Sequence, residues 1–218
     1  MLTRADQTVA DCLAVFEEIE NIGLRHVGFK DVGVDEATLL ALNRAIKASG
    51  ATSYMEVVST SGEAELNSAR IAREIGVDRL LGGAHAGPIL DVIAGSGIGY
   101  YPFPGIPTGH PTKLGGTPEL VERQCREFLA LGCAGVDLLA YRATGADPIA
   151  LVEAARRGLG EVPGLICAGS VTGPERIRAL RDAGCDAFTI GSAAFDGSFS
   201  PRKGSLRSRL GDILAACS

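Results

Sequence analysis

The sequence has no tryptophan, and its seven phenylalanines and four tyrosines make up only 5% of the chain. Single-stranded nucleic acids are gripped on aromatic platforms beside basic grooves. With few rings, a net charge of −5 and no basic block, no nucleic-acid partner is expected. Six cysteines are scattered at Cys12, Cys125, Cys133, Cys167, Cys185 and Cys217, and none forms a CxxC pair, so neither a zinc site nor a redox dithiol is indicated. Cys167 and Cys185 lie in or beside apolar runs and read as small core residues. The three histidines lack metal-ligand spacing. No metal and no cofactor are expected, and an ion held by Glu56, Asp137 and His85 is the weaker reading. No apolar run approaches the ~20 residues of a membrane helix. The opening MLTRADQT carries an acidic residue and no apolar signal-peptide core, so a cytoplasmic protein without a membrane partner is expected.

What the sequence does have is a recurring unit, in which an amphipathic segment ends at a glycine and a short apolar run follows. It recurs in IENIGLRHVGFKD, IKASGATSYMEVV, AREIGVDRLLGG, IAGSGIGYYPFP, LALGCAGVDLLAYR and RDAGCDAFTIGS, and more loosely in RRGLGEVPGLICAGS. The glycines suit helix C-termini, where positive φ penalises a side chain. The apolar runs are short and do not alternate, as expected of parallel strands buried on both faces. Helix starts are marked by Asp35, by Thr117 and Asp147 each followed by proline, and by the capping boxes Thr60-x-x-Glu63 and Thr172-x-x-Glu175. The last helix is expected within KGSLRSRLGDILAAC. Seven units predict seven strands, and Met1-Leu2-Thr3 is a short candidate for an eighth. The expected fold is therefore α/β, a single (β/α)8 barrel over residues 1–218 with a short first strand. An open doubly wound sheet is the competitor, but it would more often carry GxGxxG after its first strand, and no such motif occurs.

In a barrel the active site lies at the C-terminal strand ends. The seventh and eighth expected strands both end in Gly-Ser, at Gly169-Ser170 and Gly191-Ser192. Glycine lets an anion approach main-chain N–H groups and serine adds a hydroxyl donor, so the pair predicts a phosphate cup; two tight turns are the plainer reading. GSVTGPERIRALRDAGCDAFTIGSAAFDG resembles the C-terminal quarter of the ribulose-phosphate-binding barrels, roughly over residues 164–197. That group includes the histidine- and tryptophan-pathway sugar-phosphate isomerases, N-acetylmannosamine-6-phosphate epimerase and 3-keto-gulonate-6-phosphate decarboxylase. The resemblance implies that Gly169, Ser170, Gly191 and Ser192 grip phosphate. It does not supply the catalytic residues, because neither the isomerases' acid/base pairs nor the decarboxylases' Asp-x-Lys is found.

Catalytic candidates therefore come from chemistry alone. Lys30 ends the apolar run HVGF, and a lysine in such a place serves as electrophile, base or Schiff-base amine. Glu56 interrupts SYMEVV at the end of the adjacent strand and needs a partner, for which Lys30 is the candidate. A structural salt bridge is the plainer reading of that pair. Asp137 in GVDLLAYR is a third inward candidate. His110, in the loop GIPTGHPTK, is a candidate general acid over the substrate. Arg4 and Arg142 are candidate substrate contacts, His85 is ambiguous, and His26 reads as structural. These residues point to an enzyme moving a proton next to a carbonyl in a small phosphorylated sugar or sugar acid, as an isomerase or epimerase. The alternatives are a Schiff-base carbon–carbon lyase using Lys30 and a non-catalytic barrel that binds a phosphorylated metabolite. A homo-oligomer is compatible with either.

Overall fold

The computed structural model describes residues 1–59 and 61–217. The chain opens with a hairpin, β1 (Thr3–Arg4) against β2 (Gln7–Thr8). Helices and strands then alternate: α1 (Cys12–Ile19), β3 (His26–Lys30), α2 (Glu36–Ala48), β4 (Thr52–Glu56), α3 (Gly62–Ile75), β5 (Arg79–Leu81), α4 (Ala86–Ile93) and β6 (Gly99–Tyr101). A second hairpin, β7 (Ile106–Thr108) against β8 (Lys113–Gly115), precedes α5 (Pro118–Leu131), β9 (Val136–Leu138), α6 (Pro148–Leu159) and β10 (Leu165–Cys167). The chain closes with α7 (Pro174–Asp182), β11 (Ala187–Phe188), the one-turn α8 (Ser192–Phe195) and α9 (Leu206–Ala216). No helix among the described residues is long and apolar enough to cross a membrane.

The strands form a four-stranded parallel sheet, β3-β4-β5-β6, and a three-stranded parallel sheet, β9-β10-β11. Most of their residues are buried on both faces, as in consecutive Val136, Asp137 and Leu138 of β9, all 0% exposed. That explains runs without alternation. Main-chain bonds bridge the sheets on both sides. Ala134 N–H donates to Tyr100 O at 2.9 Å and Asp137 N–H to Pro102 O at 2.9 Å. Across the other gap, Met1 N donates to Ile190 O at 2.8 Å and Leu2 N–H to Gly28 O at 2.7 Å.

All seven expected repeat strands are present, but the expected eighth is not a strand of either parallel sheet. Met1 and Leu2 make the main-chain bonds across the gap described above; from Thr3 the chain turns back as the β1–β2 hairpin. The turn residues Ala5 and Asp6 have φ of 50° and 59°, which ends any extended run. The GIPTGHPTK stretch, expected as a loop, is the β7–β8 hairpin turning at Gly109. The structure's cis peptide bond is His110–Pro111.

Helix starts follow the sequence signals. Asp35 accepts from Thr38 N–H at 2.8 Å, Thr117 from Leu120 N–H, and Asp147 from the N–H groups of Ile149 and Ala150. Replacing the exposed Asp35 cap by alanine should lower Tm by a few degrees, measured by thermal melting. The Thr172-x-x-Glu175 box does not form. The N-cap of α7 is Gly173, in extended backbone before Pro174, because a residue preceding proline is kept out of the helical region. Of the Thr60-x-x-Glu63 box, Thr60 lies outside the described residues; α3 starts after Ser61, whose side chain makes no capping bond.

Candidate active site

Lys30 and Glu56 end adjacent strands in register, and both are 5% exposed. Lys30 Nζ donates to Glu56 Oε1 at 2.8 Å and to Asp6 Oδ1 at 3.1 Å. An ammonium has three N–H donors, and no third acceptor is present among the described residues. Burial alone would depress the Lys30 pKa, but the Glu56 carboxylate, followed by Asp6, outweighs it and holds the pKa above its ordinary value. The two carboxylates therefore favour the charged ammonium at Lys30. Glu56 Oε2 takes no hydrogen bond from any described residue.

Asp6 completes the cluster. Its two oxygens receive Arg142 Nη2 and Nη1, each at 2.8 Å, in a bidentate pair. Burial would raise the Asp6 pKa, but the Arg142 bonds and the Lys30 charge bring it down to about 2. The β1–β2 hairpin holds Asp6 in place. Thr8 Oγ1 accepts from Lys30 N–H and donates to Lys30 O, both at 2.8 Å, and Thr8 N–H donates to Val32 O. Sequence reasoning missed Asp6 and Thr8. The only available signal is that ADQT directly follows the expected first strand, where barrel sites lie.

Arg142 comes from the 3-10 turn after β9 (residues 140–142) and crosses the backbone of Gly169. Gly169 has φ +76°, and a Cβ there would collide with Arg142 Nε. The glycine thus clears the path of the guanidinium, a role that its sequence context did not suggest. Gly169→Ala should displace Arg142 and strain the turn. The measurable result is a lower Tm and a gain in protease sensitivity, whereas Gly87→Ala, in open space on α4, should do neither.

A cavity of about 240 Å³ lies against this cluster. Asp6, Lys30, Glu56 and Arg142 line it together with the segments 169–172 and 189–193 and with Asp196 and Ser198. The structure thus brings the four Gly-Ser residues, Lys30, Glu56 and Arg142 to one cavity. No described residue accepts from the main-chain N–H groups of residues 169–173 or 190–193. Ser192 Oγ receives Ala5 N–H at 3.3 Å, so the first hairpin also touches this part of the lining.

Other candidates lie elsewhere. Asp137 does not line the cavity; it is 0% exposed, and neither carboxylate oxygen has a partner among the described residues. Burial, reinforced by the Glu56 charge and opposed by Lys30, pushes its pKa well above the usual carboxylate range. A neutral buried acid whose folded pKa is raised withdraws stability as pH climbs above its unfolded value. Asp137→Asn, which cannot ionise, should therefore gain Tm relative to wild type between about pH 4 and pH 7, as paired melts will show.

His110 sits exposed at the turn of the β7–β8 hairpin and does not line the cavity. Arg4 does not line the cavity either; its guanidinium lies 5.5 Å from the centre of the Phe195 ring. Sequence spacing cannot tell which loop folds over a mouth or which way a turn residue faces, and both placements correct the expected grouping. His85 Nδ1 lies 2.9 Å from the buried Glu65 carboxylate, and His26 Nδ1 lies 3.0 Å from Tyr54 Oη. Among the described residues no cluster of three metal-ligating side chains is present.

Neither a protein-family model nor a curated protein sequence matches the chain. Solved structures do. One described as "Native KDPGal structure" is 16% identical, with a TM-score of 0.66 over 97% of this chain and 88% of its own. Another, "Structure of FabK (M276A) mutant from Thermotoga maritima", is 14% identical, with a TM-score of 0.53 over 73% of this chain and 50% of its own. The chain thus aligns with half of the FabK structure. At such identities the likeness bears on the fold alone, and it supports the (β/α)8 barrel class.

Proposed function

We propose that the chain is a single-domain (β/α)8-type enzyme that moves a proton next to a carbonyl in a small phosphorylated sugar or sugar acid. The observation that carries this reading is one cavity lined by two unlike sets of groups. One set is two runs of unclaimed main-chain N–H groups with the Ser170 and Ser192 hydroxyls; the other is a buried carboxylate–ammonium pair. Consecutive free N–H groups form an anion-binding concavity and suit a phosphate. Glu56 Oε2 takes the proton from the carbon beside the carbonyl. The third Lys30 N–H donates to the carbonyl oxygen and stabilises the enediolate as it forms. Glu56 then returns the proton to the neighbouring carbon, while the hydroxyl proton passes to the former carbonyl oxygen, in an isomerisation; in an epimerisation the enediolate first turns its opposite face to Glu56, and the same carbon is reprotonated from that face. The scheme uses no metal or cofactor.

The Gly-Ser ends also agree with the resemblance to ribulose-phosphate-binding barrels. A Schiff-base lyase is the second reading, favoured by the likeness to the KDPGal structure over 97% of this chain. It requires a neutral amine at Lys30, whereas two carboxylates keep this lysine charged. The two readings separate in deuterium oxide. With a phosphorylated ketose or keto acid as substrate, proton transfer puts deuterium beside the carbonyl and leaves no borohydride-trapped adduct on Lys30. A trapped adduct with carbon–carbon cleavage would establish the lyase instead. Tight phosphate-dependent binding with neither result would leave a binding barrel.

A further inference from the structure

The turn between β1 and β2 touches both the charged cluster and Ser192, yet the proton transfer above makes no use of it. Ala5 and Asp6 both have left-handed backbone, φ 50° and 59°, without being glycine. Such geometry is disfavoured for any residue with a Cβ and persists only where the surroundings hold it. Here the hold comes from the ligand-binding surfaces themselves. The Asp6 carboxylate lies on Arg142 through two 2.8 Å bonds and on Lys30 through one of 3.1 Å, and Ala5 N–H occupies Ser192 Oγ. A planar carboxylate held in a guanidinium fork beside an ammonium is how a protein binds a free carboxylate ligand.

Resting on the phosphate-cup reading, we infer that Arg142 and Lys30 form a substrate-carboxylate subsite, which Asp6 fills as a tethered stand-in. The substrate is then a phosphorylated sugar acid, with phosphate at the Gly-Ser ends and carboxylate at Arg142. A phosphorylated aldose or ketose lacks the second group. The charges support the exchange: Asp6 withdraws one negative charge and the ligand carboxylate restores it. The two ends are also coupled. A phosphate that claims the Ser192 hydroxyl competes with Ala5 N–H, loosening the strained turn that carries Asp6. Asp6 then acts as a specificity-determining residue, because a ligand without a carboxylate cannot replace what Asp6 gives up.

The test is calorimetric titration of the full chain, wild type and Asp6→Asn, with 3-phosphoglycerate, glycerol 3-phosphate and glycerate. These probes carry both groups, phosphate alone and carboxylate alone. In wild type, 3-phosphoglycerate should bind more tightly than glycerol 3-phosphate. Asp6→Asn should tighten 3-phosphoglycerate a further tenfold or so, as expected when an occupant holding the site about nine-tenths of the time is removed. Glycerol 3-phosphate should stay within about twofold in the same variant. Arg142→Gln, which leaves Asp6 its Lys30 partner, should bring the two phosphate probes to parity. Equal binding of both phosphate probes in wild type, unchanged or equally changed by Asp6→Asn, would overturn the inference and make Asp6 a fixed wall. If neither phosphate probe binds, the phosphate cup fails; a gain of glycerate binding in Asp6→Asn would then still support the subsite, and no gain would overturn that too.

Discussion

Lys30→Met should lower Tm by roughly 6–20 °C and abolish proton exchange. Glu56 and Asp6 both lean on this ammonium at 5–8% exposure, and removing one partner of a buried ion pair costs about 3–5 kcal/mol. A domain of this length loses about 2–4 °C per kcal/mol. The double variant Lys30→Met, Glu56→Leu removes the orphaned carboxylate as well. Buried pairs replaced by apolar groups are often neutral in stability, and Asp6 keeps its bidentate Arg142. The double variant should therefore recover most of the lost Tm while remaining inactive in the exchange assay. If the single variant melts like wild type, the pair is not the buried electrostatic unit described above. If the double variant still exchanges substrate protons, the pair is not the acid/base machinery.

The second large effect concerns the Gly-Ser part of the cavity lining. Ser192→Asp puts a negative charge among the unclaimed N–H groups of residues 190–193. The new carboxylate can still accept Ala5 N–H, as the serine hydroxyl does, so the free protein should melt close to wild type. A phosphorylated ligand meets like charge at short range, which costs several kcal/mol, and its Kd should rise at least about a hundredfold. An unphosphorylated analogue should bind both proteins alike. Titration calorimetry reads the difference, and an unchanged Kd would place the phosphate elsewhere.

These sites differ in how far the sequence exposes them. The seven parallel strands are legible because each is a short apolar run behind a glycine-terminated amphipathic segment. Local patterning and burial agree there. The paired Gly-Ser ends are legible for the same reason, since they follow two of those runs directly. Lys30 and Glu56 stand out as charges ending apolar stretches, and neighbouring strands put them together.

The rest depends on contacts that no local pattern carries. Ala5-Asp6 forms a left-handed turn without the glycine or asparagine that normally announces one. Its conformation comes from Arg142, which is 136 residues away. The same hairpin replaces the expected eighth strand. His110 and Arg4 sit in stretches that the sequence places at the correct end of the fold, but neither lines the cavity. Asp137 reads equally well as inward or outward from GVDLLAYR, and only its neighbours in space show it buried beneath the charged pair.

The most direct test of the central claim is Tm against a panel of phosphorylated ketoses, aldoses and sugar acids, each beside its unphosphorylated twin. A ligand at about a hundred times its Kd adds roughly 2.7 kcal/mol, or roughly 5–10 °C for a chain of this size. The cavity described here requires that phosphorylated members shift the melt and their twins do not. Equal shifts for each pair, or none from any phosphorylated compound, would reduce the two Gly-Ser ends to tight turns and contradict the proposed function.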